Sequence, residues 1–269
     1  MSGFAGQSVF REYNGWHYQM TGQRMIDTEL IVDLKVTVPL RVTDFDRYGR
    51  LKPSAVLALF QEAATVQANV MDIGHDAMER RGVFWAVIRT YYEVIRQPEL
   101  YTSVQIRTWP HSPSRFSFQR DYIMSSLDDE VLVRGTSEWV LMSPETRQFV
   151  SLAGVYEPPE NLIEERNFEK KQRKIRDFDT GDAMPYVVVP PYTAADINGH
   201  VNNSVYADYP FDAINPSSKH GVKSFQIDFR HEARTGDPLA IYTKRDDGTI
   251  FTKGVDAKGE IVFAARTEF

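Results

Sequence analysis

From Pro53 to Gly74, "PSAVLALFQEAATVQANVMDIG", apolar residues recur at three- and four-residue intervals, the period of one helix. Pro53 stands at a favoured first-turn position, and Gly74 is the expected stop. Four strand-like runs follow: "FWAVIRTYYEVI", "SVQIRTWP", "FSFQRDYIM" and "EVLVRGTSEWVLM". Past residue 182 the order recurs. A shorter helical run, "NSVYADYPFDAI", which Pro210 should kink or break, precedes "VKSFQIDFRHEA", "PLAIYTKR", "TIFTKGVDA" and "EIVFAARTEF". The turn signals "LDDE", "RDDG" and "AKGE" separate neighbours, as antiparallel hairpins require.

The recurrence is a duplication. Shifted by 150 positions, "VPLRVTDFDRYGRLKPSAV" (38–56) lies over "VVPPYTAADINGHVNNSVY" (188–206), matching Thr43 with Thr193, Asp46 with Asp196, Gly49 with Gly199 and Ser54 with Ser204. "VLVRGTSEW" at 131–139 likewise resembles "IVFAARTEF" at 261–269. One helix laid across an antiparallel sheet is the hot-dog arrangement, so the expected class is α+β with two tandem hot-dog domains. The expected boundaries are an N-terminal extension (1–29), a first domain (30–156), a charged linker (157–182) around "EPPENLIEERNFEKKQRKIRDFD", and a second domain (183–269).

Composition narrows the field. The 31 basic against 37 acidic residues give a net charge of −6, which argues against a nucleic-acid partner or a chain built to coat an anionic membrane. The absence of cysteine removes disulfides and thiolate nucleophiles. No run reaches the length of a membrane span, and the first residues lack a secretory signal pattern, so the cytoplasm is the expected compartment.

The chemistry concentrates in "ADINGHVNNSVY", residues 195–206. If this stretch is extended, Asp196, Asn198 and His200 share a face, and the helix that follows aims backbone N–H groups back at them. The plain alternative is a turn shaped by Asp196 and Asn198, a helix capped by Asn203, and a surface histidine. The duplication weighs against that alternative: the first copy keeps Asp46 and Gly49 but has Tyr48 and Arg50 where the second has Asn198 and His200. The other histidines, His75, His111, His220 and His231, show no partner pattern; His75 and His111 are read as surface residues. "DINGHVNN" lacks the histidine pair or cysteines of common zinc sites, so no metal and no cofactor is expected.

The pattern D-x-N-x-H-V-N-N-x-x-Y, filled by Asp196, Asn198, His200, Val201, Asn202, Asn203 and Tyr206, resembles that of acyl-acyl carrier protein thioesterases. "RFSFQRDYIM" and "RGTSEWVLMSPETRQ" are similar to further stretches of that family, and the likeness runs from about residue 35 to the end. The resemblance implies a hydrolase acting on fatty acyl-acyl carrier protein, with the carrier and its acyl thioester as partners and a homodimer as a candidate assembly. An acyl-CoA thioesterase, a hot-dog dehydratase and a non-catalytic acyl-binding module are the alternatives. The family's Arg-Glu-Cys stretch falls on "RHEAR", which places its glutamate at Glu232 and an alanine, Ala233, where many members carry cysteine. Asp196, Asn198, His200 and Glu232 are thus the implied catalytic residues. In one assignment Glu232 and His200 activate water, Asn198 positions it and Asp196 holds the group; in the other, Asp196 is base or nucleophile. Ile95 or a near neighbour would stand for Glu232 in the first half. Asn202, Asn203 and Trp85 are the candidate substrate contacts, with the first half lining the acyl-chain pocket as in the family.

Overall fold

A computed structural model describes residues 32–158, 160–217 and 221–269, together with the backbone of two strands, β1 (Val9–Tyr13) and β2 (Trp16–Met20). His220 lies outside the described residues.

The first half consists of β3 (Leu34–Pro39), helix α1 (Pro53–Val70), a short α2 (His75–Arg80), β4 (Phe84–Val94), β5 (Ser103–Pro110), β6 (Ser117–Ser125), β7 (Val131–Met142) and the two-residue β8 (Phe149–Val150). The second half repeats it with β9 (Tyr186–Val188), α3 (Asn203–Tyr206), α4 (Asp208–Ile214), β10 (Ser224–Phe229), β11 (Leu239–Asp246), β12 (Thr249–Val255) and β13 (Ile261–Glu268). The strands form one sheet in the order β1-β2-β3-β5-β6-β7-β4-β10-β13-β12-β11-β9, with β8 beside β7. From β3 to β9 that order reads alike from either end. Its centre is the β4–β10 ladder, where Tyr91 faces Gln226.

Alternation along the strands buries one face against the helices. Val36, Ile106, Tyr122 and Met124 meet Val56, Phe60 and Ala63 of α1, and the same cluster continues without a break into Phe225, Ile227 and Phe263. A core shared by the halves makes them one folding body. A smaller cluster around Met78, Phe118, Leu141 and Tyr156 closes the far end of α1. Helix α1 stops at Val70, earlier than Gly74, and Asp72 takes the left-handed turn (φ 52°) that reverses the chain. Gly74 serves instead a close approach, since a Cβ there would sit 1.8 Å from the Asn69 side-chain oxygen. The second helix breaks at Ala207, which lets Pro210 fall in the first turn of α4, where its missing N–H does no harm.

The segment expected to be a linker is a strap bound across the opposite sheet face. The Ile175 N–H donates to Asp228 Oδ2 (2.6 Å), Gln226 Nε2 donates to the Arg173 carbonyl (2.8 Å), and Lys253 Nζ reaches Asp177 (2.6 Å). Beneath it Arg89 of the first half pairs with Asp228 of the second (2.6 Å) and with Glu138 (2.9 Å). His111 is not on the surface. At the end of β5 it is 2% exposed, with Nε2 3.1 Å from Asp121 Oδ2, because the hairpin register carries β5 back beside β6.

Candidate active site

Residues 196–200 form a tight turn, so the alternation expected of an extended stretch does not apply. Asp196 N–H donates to the His200 carbonyl (3.0 Å), Gly199 N–H to the Asp196 carbonyl (3.0 Å), and Gly199 adopts φ +77°. The Asp196 carboxylate accepts the Asn198 N–H (2.8 Å), an Asx turn. The first half repeats this closely: Asp46 N–H to the Arg50 carbonyl (2.7 Å), Gly49 N–H to the Asp46 carbonyl (3.0 Å), and Tyr48 N–H to the Asp46 carboxylate (2.8 Å). Turn-making therefore accounts for the contacts of Asp196, and the turn displays the residues that differ. Asn198 is exposed at its apex, and His200 is half-buried at its base.

His200 Nε2 lies 3.2 Å from Glu232 Oε2. The loop that carries Glu232 is fixed on both sides of the neighbouring Ala233. Val201 N–H donates to the Ala233 carbonyl (3.0 Å), and the Ala233 N–H donates to the Tyr206 hydroxyl (2.6 Å). The tyrosine of the motif thus fastens the glutamate loop to the histidine turn. Burial raises the Tyr206 phenol to about 12, against the Ala233 amide, which lowers it; the hydroxyl stays neutral near pH 7. The other carboxylate oxygen of Glu232 accepts from Arg147 Nη1 (2.8 Å), a contact that the motif gave no sign of.

Strand register identifies the first-half counterpart of Glu232. Gly135 faces Tyr92 and Ala265 faces Ile227; carried the same distance along the chain, Glu232 corresponds to Gln97, two residues beyond Ile95. Gln97 is spent on accepting the Leu51 N–H (3.1 Å), and Arg50 grips Asp46 (2.9 Å). Burial would raise the Asp46 carboxyl, but the amides of Arg50 and Tyr48 and the Arg50 guanidinium hold it below its ordinary value. Only the second half brings an imidazole and a carboxylate together at this place.

Asn202, not Asn203, caps the helix, its side-chain oxygen accepting the Ser204 N–H (2.9 Å) and hydroxyl (2.7 Å). Asn203 and Ser204 stand at a small cavity that runs under Leu57, Phe60 and Gln61 of α1 to Tyr122, Ser137 and Trp139 of the first-half sheet. Its volume, ≈ 20 Å³, is that of about one water. Phe60 closes it, stacked on Tyr122 with centroids 4.5 Å apart and pressed over Gly135. Trp85 is elsewhere: its indole N–H donates to the Ile73 carbonyl (2.9 Å), and its ring meets Phe118 and Tyr156 in the smaller core. A second groove, ≈ 1100 Å³, lies along the strap and is lined by Lys170, Arg173, Lys174, Arg176, Lys244 and Arg266 among others.

At the N-terminus of α1 the Ser54 N–H donates to Asp208 Oδ1 (3.1 Å). Burial raises the carboxyl of Asp208, more than its bonds to Ser54 lower it. The residue at the equivalent place on α1 is Ala58, so no carboxylate blocks the helix start beside His200 from that position.

Fold and site together define a double hot dog with one chemically equipped half. Residues 33–156 match the model of the acyl-ACP thioesterase N-terminal domain, and residues 186–269 that of the acyl-ACP thioesterase C-terminal domain. The chain belongs to the acyl-ACP thioesterase family. It is similar to an oleoyl-acyl carrier protein thioesterase of Coriandrum sativum, 29% identical over 206 residues that cover 71% of this chain and 55% of that one. A dodecanoyl-[acyl-carrier-protein] hydrolase of Umbellularia californica is 28% identical over 210 residues, covering 72% and 55%. The chain thus spans about half the length of these curated relatives. Among solved structures, an acyl-ACP thioesterase of Bacteroides thetaiotaomicron superposes with a TM-score of 0.79 at 19% identity, covering 88% of this chain and 97% of that one. A 12:0-ACP thioesterase of Umbellularia californica gives 0.73 at 24% identity, with 88% and 96% covered. At those identities the superpositions speak for the fold.

Proposed function

We propose that this chain hydrolyses the thioester of fatty acyl-acyl carrier protein, releasing the free acid and the carrier thiol. The observation that carries the reading is the 3.2 Å approach of His200 and Glu232, in a place where the duplicated half has Arg50 and Gln97. With Nε2 directed to Glu232, Nδ1 is the ring nitrogen left to take a proton from water. The water oxygen then bonds to the acyl carbon, the C–S bond breaks, and the imidazolium returns the proton to the departing thiolate. Glu232 orients the ring and balances its charge. Asn198, exposed on the turn, positions water or the thioester carbonyl; Asp196 keeps the turn closed. The matching role of Asp46 favours this assignment over one in which Asp196 attacks.

The acyl chain is taken to enter past Asn203 and run between α1 and the first-half sheet. A cavity of one water cannot hold it, so Phe60 has to swing off Tyr122 as the chain enters. The acidic carrier is assigned to the basic strap, where the exposed Arg173, Lys174 and Arg176 gather positive charge locally on a chain whose net charge is −6.

Free-thiol release from acyl-carrier-protein and acyl-CoA thioesters of several lengths tests the reading. Faster release from the carrier substrates is expected. Turnover confined to acyl-CoA would reassign the substrate, enoyl product from a 3-hydroxyacyl thioester would indicate a dehydratase, and tight retention without thiol release would indicate a binding module.

A further inference from the structure

We infer that Arg147 is the positioning residue of this site, the group that fixes the Glu232 carboxylate so that one oxygen faces His200. The inference rests on the hydrolase reading for its kinetic consequence but on geometry for its substance. Glu232 divides its oxygens, with Oε1 on Arg147 Nη1 at 2.8 Å and Oε2 on His200 Nε2 at 3.2 Å. Its side chain is 47% exposed and sits on a loop, so packing alone leaves its torsions free. A guanidinium on the far oxygen removes that freedom while leaving the near oxygen available.

Arg147 is itself held. It belongs to the turn between β7 and β8, where its N–H donates to the Ser143 carbonyl (3.0 Å) and its backbone adopts φ 56°, a left-handed conformation that non-glycine residues avoid. Its guanidinium lies 5.5 Å from the centroid of the Phe84 ring. The residue comes from the first half and Glu232 from the second, so the half without the catalytic pair still supplies a part of the site. An exposed ion pair contributes little to stability, which leaves alignment as the effect to expect.

The test uses the full chain and an acyl thioester of N-acetylcysteamine, which removes carrier docking from the measurement. Arg147→Ala should lower kcat about 10- to 100-fold with KM changed less than about threefold, the signature of a misplaced catalytic group. Arg147→Lys should recover part of the loss, Arg147→Met none, and added methylguanidinium should restore Arg147→Ala but not Glu232→Ala. Arg234→Ala, an exposed cation beside the same loop, should leave turnover unchanged. In ¹⁵N spectra the His200 ring signals should move in Arg147→Ala. Wild-type kcat in Arg147→Ala, a loss rescued by neither lysine nor methylguanidinium, or unmoved His200 signals would overturn the inference. If the wild-type chain releases no thiol, the hydrolase reading fails, and the His200 spectrum alone decides the place of Arg147.

Discussion

Replacing Tyr206 by phenylalanine removes one oxygen from the point where the glutamate loop meets the histidine turn. The ring would keep its contacts with Tyr209, Phe229 and Phe263, whose centroids lie 5.8–5.9 Å away. What is lost is the acceptor of the Ala233 N–H, 2.6 Å away in a residue that is 4% exposed. A buried donor left without a partner costs about 1–3 kcal/mol. In a chain of this size each kcal/mol lowers Tm by roughly 2–4 °C. Ala233 would keep only one of its two ties to the neighbouring segment, the bond from Val201, and a displacement of about 1 Å at a catalytic group can reduce turnover ~100-fold. Urea unfolding should therefore show the loss in stability, amide exchange should show Ala233 opening faster, and kcat should fall more than KM rises. A stability change below about 0.5 kcal/mol, within the range of ordinary surface substitutions, together with unaltered exchange at Ala233, would refute the reasoning.

Three further outcomes are expected. His200→Ala and Glu232→Ala should each reduce turnover by orders of magnitude in a folded protein, whereas Tyr48→Ala and Gln97→Ala should be far milder; equal losses would remove the idea of one equipped half. Burial raises the Asp208 carboxyl in the folded chain, so the folded state holds the proton more tightly than the unfolded one and stability falls as pH rises through the raised value. Asp208→Asn does not titrate and should gain on wild type in urea midpoints from acid to neutral pH; a difference independent of pH would show that Asp208 is not desolvated as described. Reversing Arg173, Lys174 and Arg176 to glutamate should raise KM for acyl-carrier substrate, less so in high salt, and spare a small thioester. Lys171 is left out because it already pairs with Glu138 (2.6 Å), and equal effects on both substrates would move the docking surface elsewhere.

The hairpins, the long helix and the duplication were legible because each rests on local periodicity or on a self-comparison of the chain. The proposed catalytic pair was legible only in part. Asp196 reads as chemistry when taken with Asn198 and His200, yet Asp46 shows that the same turn forms without them. Glu232 came from resemblance, since a glutamate 32 positions from its histidine leaves no spacing to read. Arg147 was hidden for the same reason: it meets Glu232 across 85 residues of chain, through pairing between β4 and β10 that no local pattern encodes. The strap looked like a linker because its anchors lie on strands far away in sequence: Lys171 pairs with Glu138, Asp177 with Lys253, and the Ile175 N–H with Asp228. His111 looked exposed because its partner, Asp121, lies on the next strand.

The β4–β10 ladder joins two halves that in separate chains would have to find each other by diffusion. Within one polypeptide that encounter is intramolecular, so its equilibrium does not depend on how much protein is present. The proposed site, which draws Arg147 and Phe60 from one half and His200 and Glu232 from the other, is therefore assembled within one chain at any dilution. The shared ladder also lets the two copies differ freely. Neither has to satisfy the self-complementarity that identical subunits impose on each other. One carries Arg50 and Gln97 where the other carries His200 and Glu232.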